Sequence, residues 1–531
     1  MAGRLLNLWR LARAGLVLAQ HGVRFVPKGT KVPFVLHLAR AATLPVRLLT
    51  WPARIGQDKA HRVAAALTSL GPAYIKLGQF LATRGDLIGP ELAGDLARLQ
   101  DKLAPFPMGQ ARRAVEEALG GRLEDHFAEF GPAVAAASIA QVHRAVTLDK
   151  EGRRRDVAVK ILRPGIEQRF RQDLDSFRFG ASLIERLAPA TRRLRPGAVV
   201  DNLRRTTELE MDLRLEAAAI SEMADNIATD QGFRVPGIDW RRTSRRVLTV
   251  DWIDGTPIGD RASLATAGHD LRALGLIVIR SFLAHAMRDG YFHGDRHQGN
   301  LFVDAEGRVV AVDFGIMGRL GAIERRYLAE ILYGLITRDY RRAAQVHFDA
   351  GYVPSHHSVE VFAQAMRAIG EPIHGRTADE ISMADLLGQL FAYTDVFDMQ
   401  TRPELILLQK SMVIVEGVAR GLDPTLNMWV AAEPVAKAWI EQNLGLGGQI
   451  KAAGEGAGML GRVLADLPRV LAQAERTALS LAEMTRSGVR LDDATVTAFA
   501  HGQQRAGRAT RAALWVGALA LVAIAWALVS G

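Results

Sequence analysis

The chain has 531 residues, 49% of them hydrophobic and 23% charged, with a formal net charge of +10. That balance suits a folded protein with one large core or several smaller ones. The absence of cysteine excludes disulfides and thiolate metal sites and fits a reducing compartment; with 6% aromatic residues and no stacking pattern, no nucleic-acid partner is expected.

The positive charge is concentrated at the start. Residues 1–57 hold nine Lys or Arg, and the first acid is Asp58. Such a segment suits an anionic lipid membrane. Residues 1–60 read as basic, membrane-proximal helices broken by Pro27, Pro33, Pro45 and Pro52. Leu5, Leu8, Trp9, Ala12, Leu16 and Ala19 share one face of the first helix, as in a helix lying on a membrane surface. Arg10 and Arg13 interrupt its apolar run and exclude a secretory signal. An Arg-rich transit peptide is the alternative, although the first serine is Ser69.

Residues 61–130 read as a helical extension. A helix from about Gln57 to Ser69 is followed by two more across 71–107, turning near Gly89-Pro90, and by another over 111–130 that ends at Gly131-Pro132. Lys76, Gln79 and Thr83 form a polar stripe beside apolar Ile75, Leu77, Phe80 and Leu81. Gly78 inside that helix costs about 1 kcal/mol against Ala, which points to a close backbone approach by another element.

The pattern changes at 131. "VAAASIAQVHRAVT" and "RDVAVKILRP" are β-rich runs around the polar turn "LDKEGRRR". Lys160 ends an alternating strand with Val157 and Val159 facing inward. It is either a surface lysine or an ammonium able to hold phosphates, and the second role needs an acidic partner on a helix. Residues 168–230 read as helical, and "ELEMDLRLEAAA" supplies Glu208, Glu210, Asp212 and Glu216. Asp212 and Glu216 are spaced i, i+4; the run also reads as an ordinary solvated face. Ala135-Ala136-Ala137-Ser138 stands where a phosphate-covering loop would come. Alanine there, in place of glycine, changes how the backbone can meet a nucleotide.

"RRVLTVDWIDGTPI" reads as a strand, and 261–290 as an apolar-periodic helix. Then comes "GDRHQGN", residues 294–300, with Asp295 and Asn300. A hairpin turning at Glu306-Gly307 leads to Asp313-Phe314-Gly315. This order delivers Asp295, Asn300 and Asp313 to one end of the hairpin. Asn300 and Asp313 offer oxygen ligands that suit Mg²⁺, and Asp295 is left to accept a proton or orient a nucleophile. His293 and His297 suggest zinc instead, but Gly294 and Gly299 argue for a loop, and a third ligand at convincing spacing is lacking.

From about 321 to 440 the chain reads as all helix, with Tyr327, Ile331 and Leu335 as the first core face. Only about seven residues separate Gly315 from that helix, whereas a protein kinase needs a longer activation segment. Residues 441–511 read as a helical linker, amphipathic over 455–485. "AALWVGALALVAIAWALV", Ala512–Val529, is uncharged; as a helix it spans about 27 Å, close to a bilayer core. A buried core helix is the alternative. Arg505, Arg508 and Arg511 before it place the main body in the cytoplasm by the positive-inside rule.

Taken together, "KLGQ" at 76–79, "AAASIAQVHRA" at 135–145, "VAVKILRPGI" at 157–166, Glu210-x-Asp212 and "HGDRHQGN…VDFG" make the chain resemble the UbiB family of atypical kinase-like proteins, bacterial relatives of the mitochondrial coenzyme Q kinase-like proteins. The resemblance implies an α+β, bilobal protein-kinase-like fold with an N-terminal helical extension; the uncharged segment adds a single C-terminal transmembrane helix, where some bacterial members of the family have two. Its parts would be 1–60, basic membrane-proximal helices; 61–130, the extension carrying KxGQ; 131–253, an N-lobe with inserted helices; 254–440, a C-lobe; 441–511, a linker; and 512–529, a single-pass anchor.

The resemblance also implies roles. Lys160 and Glu216 would be the nucleotide-lobe ion pair, and Asp295 the catalytic-loop aspartate. Asn300 and Asp313 would be Mg²⁺ ligands, and Ala135–Ser138 the phosphate loop. The backbone near Asp251–Ile253 would meet the adenine of ATP or ADP. Lys76 and Gln79 would fold over the site beside Glu210 and Asp212 and obstruct protein substrates. The function implied is ATP hydrolysis in ubiquinone biosynthesis at a bacterial inner membrane, with hydrophobic quinone precursors, other enzymes of that synthesis and a second copy of the chain as expected partners. One departure is Gln298, where the family more often has proline. A protein kinase and a nucleotide-binding scaffold without catalysis are the competing readings.

Overall fold

The computed structural model describes residues 2–23, 50, 59–82, 95–96, 99, 103–149, 151–187, 195–374, 393, 396–399 and 403–444. Thr83, the turn at Gly89-Pro90, the 455–485 region and the apolar segment 512–529 lie outside them. Among the described residues no helix is long and apolar enough to cross a membrane.

The first helix, α1 (Ala2–Gln20), is followed by α2 (Lys59–Leu70) and α3 (Pro72–Ala82). After α4 (Met108–Leu119) and α5 (Leu123–His126) come three strands, β1 (Glu129–Ala136), β2 (Ala140–Leu148) and β3 (Arg154–Leu162), and three helices, α6 (Ile166–Leu187), α7 (Pro196–Glu210) and α8 (Leu213–Asn226). The short β4 (Phe233–Arg234) precedes β5 (Val247–Asp251), which completes an antiparallel sheet in the order β1-β2-β3-β5. The helix expected over 111–130 stops at Gly120-Gly121, both at positive φ. Residues 129–136 are instead strand, with a register shift at Gly131-Pro132 that accommodates the proline's missing N–H.

The alternation in β3 divides this sheet into two faces. Val157, Val159 and Ile161 are fully buried against Ala111 and Val115 of α4 and Leu123 of α5. Lys160 and Leu162 take the opposite face, with the α8 residues Leu213 and Ala217 in the core around Leu162.

The second half contains β6 (Gly255–Pro257), α9 (Arg261–Thr266), α10 (Leu271–Ala284), a π-turn at His285–Asp289, β7 (Tyr291–His293), β8 (Leu301–Asp304), β9 (Val309–Ala311) and β10 (Met317–Arg319). The single helix expected over 261–290 is broken where Gly268 turns at φ 84°. Strands β4-β9-β8-β6 form one sheet and β10-β7 a two-stranded one. Helices α11 (Ala322–Ile336), α12 (Tyr340–Asp349), α13 (Val359–His374), α14 (Pro403–Leu422) and α15 (Met428–Leu444) follow. In α11 the residues most buried are Ala329, Glu330, Leu332 and Gly334, while Tyr327, Ile331 and Leu335 are only partly buried. The helix is turned from its expected face because Glu330 is drawn inward to Arg326 and Arg342.

Helix α10 packs closely on α14: a Cβ on Gly275 would lie 2.3 Å from Leu426 and 3.3 Å from the Ala419 carbonyl. A satellite core of Tyr340, Ala343, Val353, Phe362, Met366 and Phe397 holds α12 and α13 together.

Candidate nucleotide and catalytic site

Lys160 is the hub of the site. Its Nζ lies 2.8 and 2.9 Å from the two carboxylate oxygens of Glu216 and 3.0 Å from Asp313 Oδ1. Strand β3 presents the lysine, the first turn of α8 the glutamate, and the end of β9 the aspartate. The i, i+3, i+4, i+7 burial of α8 (Leu213, Glu216, Ala217, Ile220) turns Glu216 onto the sheet. Its Oε1 also accepts the Phe314 N–H at 3.2 Å, which fastens the Asp313-Phe314-Gly315 turn to the same carboxylate.

The charges are mutually dependent. Burial opposes the Lys160 ammonium, but Asp313 and Glu216 outweigh it and hold its pKa above the ordinary value. Burial pushes Glu216 up against the pull of Lys160. Burial would raise Asp313 too, yet Lys160 and, more weakly, Lys76 hold it well below the usual carboxylate range. Asp313 is thus the firmer anion of the two, and its side chain is still 48% exposed and open to a ligand. Its backbone sits at φ 62°, a left-handed conformation that aspartate tolerates better than most residues and that recurs at functional turns.

The hairpin joins Asp313 to the 294–300 loop. The Val312 N–H donates to the Asn300 carbonyl at 2.9 Å, and Asn300 Nδ2 donates to the Asp295 carbonyl at 3.1 Å. The Asn300 amide oxygen and the Asp313 carboxylate are hard oxygen donors, the type Mg²⁺ takes. Zinc does not fit His293 and His297. His293 Nδ1 accepts the Asp295 N–H at 3.1 Å, so its Nε2–H donates to the Val312 carbonyl at 3.3 Å. His297 Nδ1 accepts the Gly299 N–H at 3.0 Å. Burial pushes His293 down to about 4, and the neutral ring braces Asp295 against Val312.

Helix α3, which carries Lys76 and Gln79, is wedged among α2, α6 and α7. Gly78 allows this: a Cβ there would lie 2.6 Å from Leu99 and 2.7 Å from Leu67. Lys76 Nζ pairs with Glu210 at 2.8 Å, both side chains 14% exposed. Gln79 is half-buried on the same helix. Asp212 does not join this pair: it caps α8, accepting the Arg214 N–H at 3.2 Å and the Arg214 guanidinium at 2.6 and 2.9 Å. An N-cap aspartate lies outside the helix, so the i, i+4 pairing with Glu216 does not apply.

The Ala135–Ser138 segment forms the tip of the β1–β2 hairpin, with Ser138 buried. Arg163, three residues after Lys160, clamps it: Nε and Nη2 donate to the Ala137 carbonyl at 3.1 and 2.9 Å. Asp251 and Ile253 lie where β5 leaves the sheet. The Asp251 and Trp252 N–H groups donate to the Gly237 and Asp156 carbonyls at 2.8 and 3.1 Å, and the Asp251 carboxylate accepts from Arg155 Nε at 2.6 Å. Among the described residues the Ile253 N–H meets no backbone acceptor.

Arg296, next to Asp295, carried no signal in the sequence and is fully buried. It donates to Ser281 Oγ at 2.9 Å and to His285 Nδ1 at 2.6 Å, and lies over Phe233 at 4.7 Å. His285 Nε2–H in turn donates to Asp230 at 3.1 Å. Burial lowers Arg296 to about 9 and His285 to about 4. An arginine inside the polar run "GDRHQGN" gives no hint of this, since such residues usually point to solvent.

The fold and the site together define an atypical kinase-like protein. Residues 98–347 match the ABC1 atypical kinase-like domain and residues 366–427 the UbiB helical domain. A Marinobacter nauticus protein named "Probable protein kinase UbiB" is 40% identical over 399 residues, 74% of this chain and 72% of that one. A Xanthomonas campestris protein of the same name is 38% identical over 438 residues, 81% and 78% of the two chains. The chain therefore belongs to the UbiB family. Among solved structures it is similar to that of a complex of Rv3197 with erythromycin from Mycobacterium tuberculosis, at 23% identity and a TM-score of 0.47 over 74% of this chain and 97% of that one.

Proposed function

We propose that the chain is a Mg²⁺-dependent, ATP-binding hydrolase or small-molecule phosphotransferase that serves ubiquinone biosynthesis. The observation that carries this reading is the single lysine shared by Glu216 and Asp313, with Asn300 tied one residue away. In this reading Lys160 turns to the nucleotide phosphates while Glu216 keeps its position. The Asn300 and Asp313 oxygens hold Mg²⁺, which when bound neutralises phosphate charge. Asp295 orients the attacking group or takes its proton. The backbone of Ala135–Ser138 covers the phosphates, and the chain near Asp251–Ile253 receives the adenine.

Transfer to a protein is disfavoured by three features. In this reading the Lys76–Glu210 pair covers the site, with Gln79 on the same helix, a placement supported by the pull of the Lys76 charge on Asp313. The segment after Gly315 is short and committed: Met317–Arg319 pairs with Tyr291–His293, and the Gly294 N–H donates to the Ile316 carbonyl at 2.8 Å. A Cβ on Gly294 would lie 2.9 Å from Ile316 and 3.1 Å from Leu407, so the arginine that protein kinases carry in this loop has no room.

A membrane partner is supported by α1. It packs on α6 through Arg10, which donates to Gln172 at 2.7 Å, and through buried Ala14 and Ala19. Leu5, Leu8, Trp9 and Leu16 point outward, 68, 45, 59 and 41% exposed. That face, among basic residues, fits an anionic bilayer surface. With 512–529 as anchor, the body would face the cytoplasm of a bacterial inner membrane, near hydrophobic quinone precursors.

The test is complementation of a deletion strain, with quinone intermediates measured. Asp295→Asn should fail to restore quinone and should accumulate an early precursor. Full restoration would favour a scaffold, and phosphate appearing on a partner protein would favour a protein kinase.

A further inference from the structure

Beyond the nucleotide site, a second cluster of metal-type donors stands on the satellite core of the helical half. His356 and His357 lie in the α12–α13 connection, and Asp398 lies in the segment before α14. Asp398 Oδ2 is 3.7 Å from His356 Nε2 and 3.4 Å from His357 Nε2, and all three ligand atoms lie within 4.8 Å of one another. The two imidazole rings are 4.1 Å apart, tilted by 39°.

These spacings are long for hydrogen bonds. Ligands about 2.0–2.1 Å from a zinc ion sit about 3.3–3.4 Å from one another; the His357–Asp398 spacing matches that edge, and the His356–Asp398 spacing exceeds it by about 0.3 Å, within reach of a small side-chain rotation. The His357 ring is positioned from below by Phe397, edge-on at 5.4 Å, and Phe397 by Phe362 at 4.9 Å. Among the described residues His357 Nε2, buried as an atom, has no hydrogen-bond partner. Asp398 is held at φ 49°, a conformation that costs energy away from glycine and that aims its carboxylate at both rings.

We infer that His356, His357 and Asp398 bind one divalent transition-metal ion, with Zn²⁺ the ion their two imidazoles and one carboxylate suit best. Three protein ligands leave a fourth position to water. The bound ion would tie the α12–α13 connection to the segment that leads into α14. That helix touches the catalytic loop, where Ser411 Oγ donates to the Gly294 carbonyl at 2.9 Å. The site thus has a route by which metal could stiffen the loop without entering the chemistry.

The experiment uses the untagged full chain, stripped with chelator and titrated with Zn²⁺ against a chromogenic competitor. The wild type should take up one equivalent more than either His356→Ala/His357→Ala or Asp398→Asn, and Zn²⁺ should raise the melting temperature of the wild type alone. Asn tolerates the left-handed backbone at 398, so the Asp398→Asn variant should match the metal-free wild type in circular dichroism. Equal zinc uptake by wild type and variants, or no uptake by the wild type, would overturn the assignment.

Discussion

Two charge systems lie at the candidate active site, one at its hub and one behind its loop, and they handle the same physical problem in opposite ways. Around Lys160 the groups are paired: one ammonium serves both Glu216 and Asp313, and each depends on the others. Around Arg296 a cation is buried without a contacting carboxylate among the described residues. It is supported by a neutral imidazole, a hydroxyl and two aromatic faces. The first arrangement can change partners when a phosphate arrives, because Asp313 is half exposed. The second has nothing to exchange and holds the loop that carries Asp295 in one place. A kinase-like centre needs both a set of charges free to rearrange and a rigid seat for them.

The contrast predicts unequal responses to mutation. The largest belongs to the paired system. Lys160→Met leaves Glu216 and Asp313 facing each other and should destabilise the chain by about 3–5 kcal/mol in chemical denaturation. Adding Glu216→Gln should recover a substantial part of that loss. If the double variant lost as much as the two single changes combined, the groups would not be coupled.

Arg296→Ala should cost about 3 kcal/mol, since it opens a cavity and strips His285 Nδ1 of its donor. Arg296→Met, which fills the space, should cost about 1 kcal/mol or less. Both should lower kcat more than KM, because the group acts through the position of Asp295. An unchanged kcat in a folded Arg296→Ala protein would remove the argument for a rigid seat.

A smaller effect concerns Glu416 on α14, a helix that also contacts the loop. Its side chain is 10% exposed, and burial pushes its pKa up to about 7 from 4.5, against Arg420. The folded state therefore keeps this proton to higher pH than the unfolded chain does. Stability from this group is intact below pH 4.5 and is lost as pH rises through 7. Glu416→Gln should be neutral near pH 4 and stabilising by up to about 3 kcal/mol near pH 8. Melting curves at the two pH values decide it; no difference between them would show that the carboxyl is solvated.

The same contrast marks what could be read from the amino-acid sequence. Asn300 and Asp313 stand at one end of a hairpin, where spacing fixes their convergence; the pairing of Lys160 with Glu216, one of four acids on the same run, follows only from the family resemblance. Gly78 announced its close approach by its conformational cost. The Arg296 network could not be read, because Arg296 stands in a loop and its partners, Ser281 and His285 on one helical face and Phe233 on a distant strand, are brought to it only by the tertiary fold. Asp212 misled for a related reason: the run 168–230 read as helical throughout, and the break at Met211-Asp212 turns a face position into a cap. In α11 the burial of Glu330, satisfied by Arg342 from the next helix, overrode the apolar pattern. Arg163 escaped notice because clamping a distant carbonyl leaves no mark in the sequence.

The most direct test of the account is ATP hydrolysis by the purified full chain, with and without Mg²⁺, beside Asp313→Asn. The account predicts hydrolysis that requires Mg²⁺ and falls by about a hundredfold or more in the variant, with nucleotide binding weakened as Lys160 loses a partner. A variant that hydrolyses ATP at the wild-type rate would contradict it.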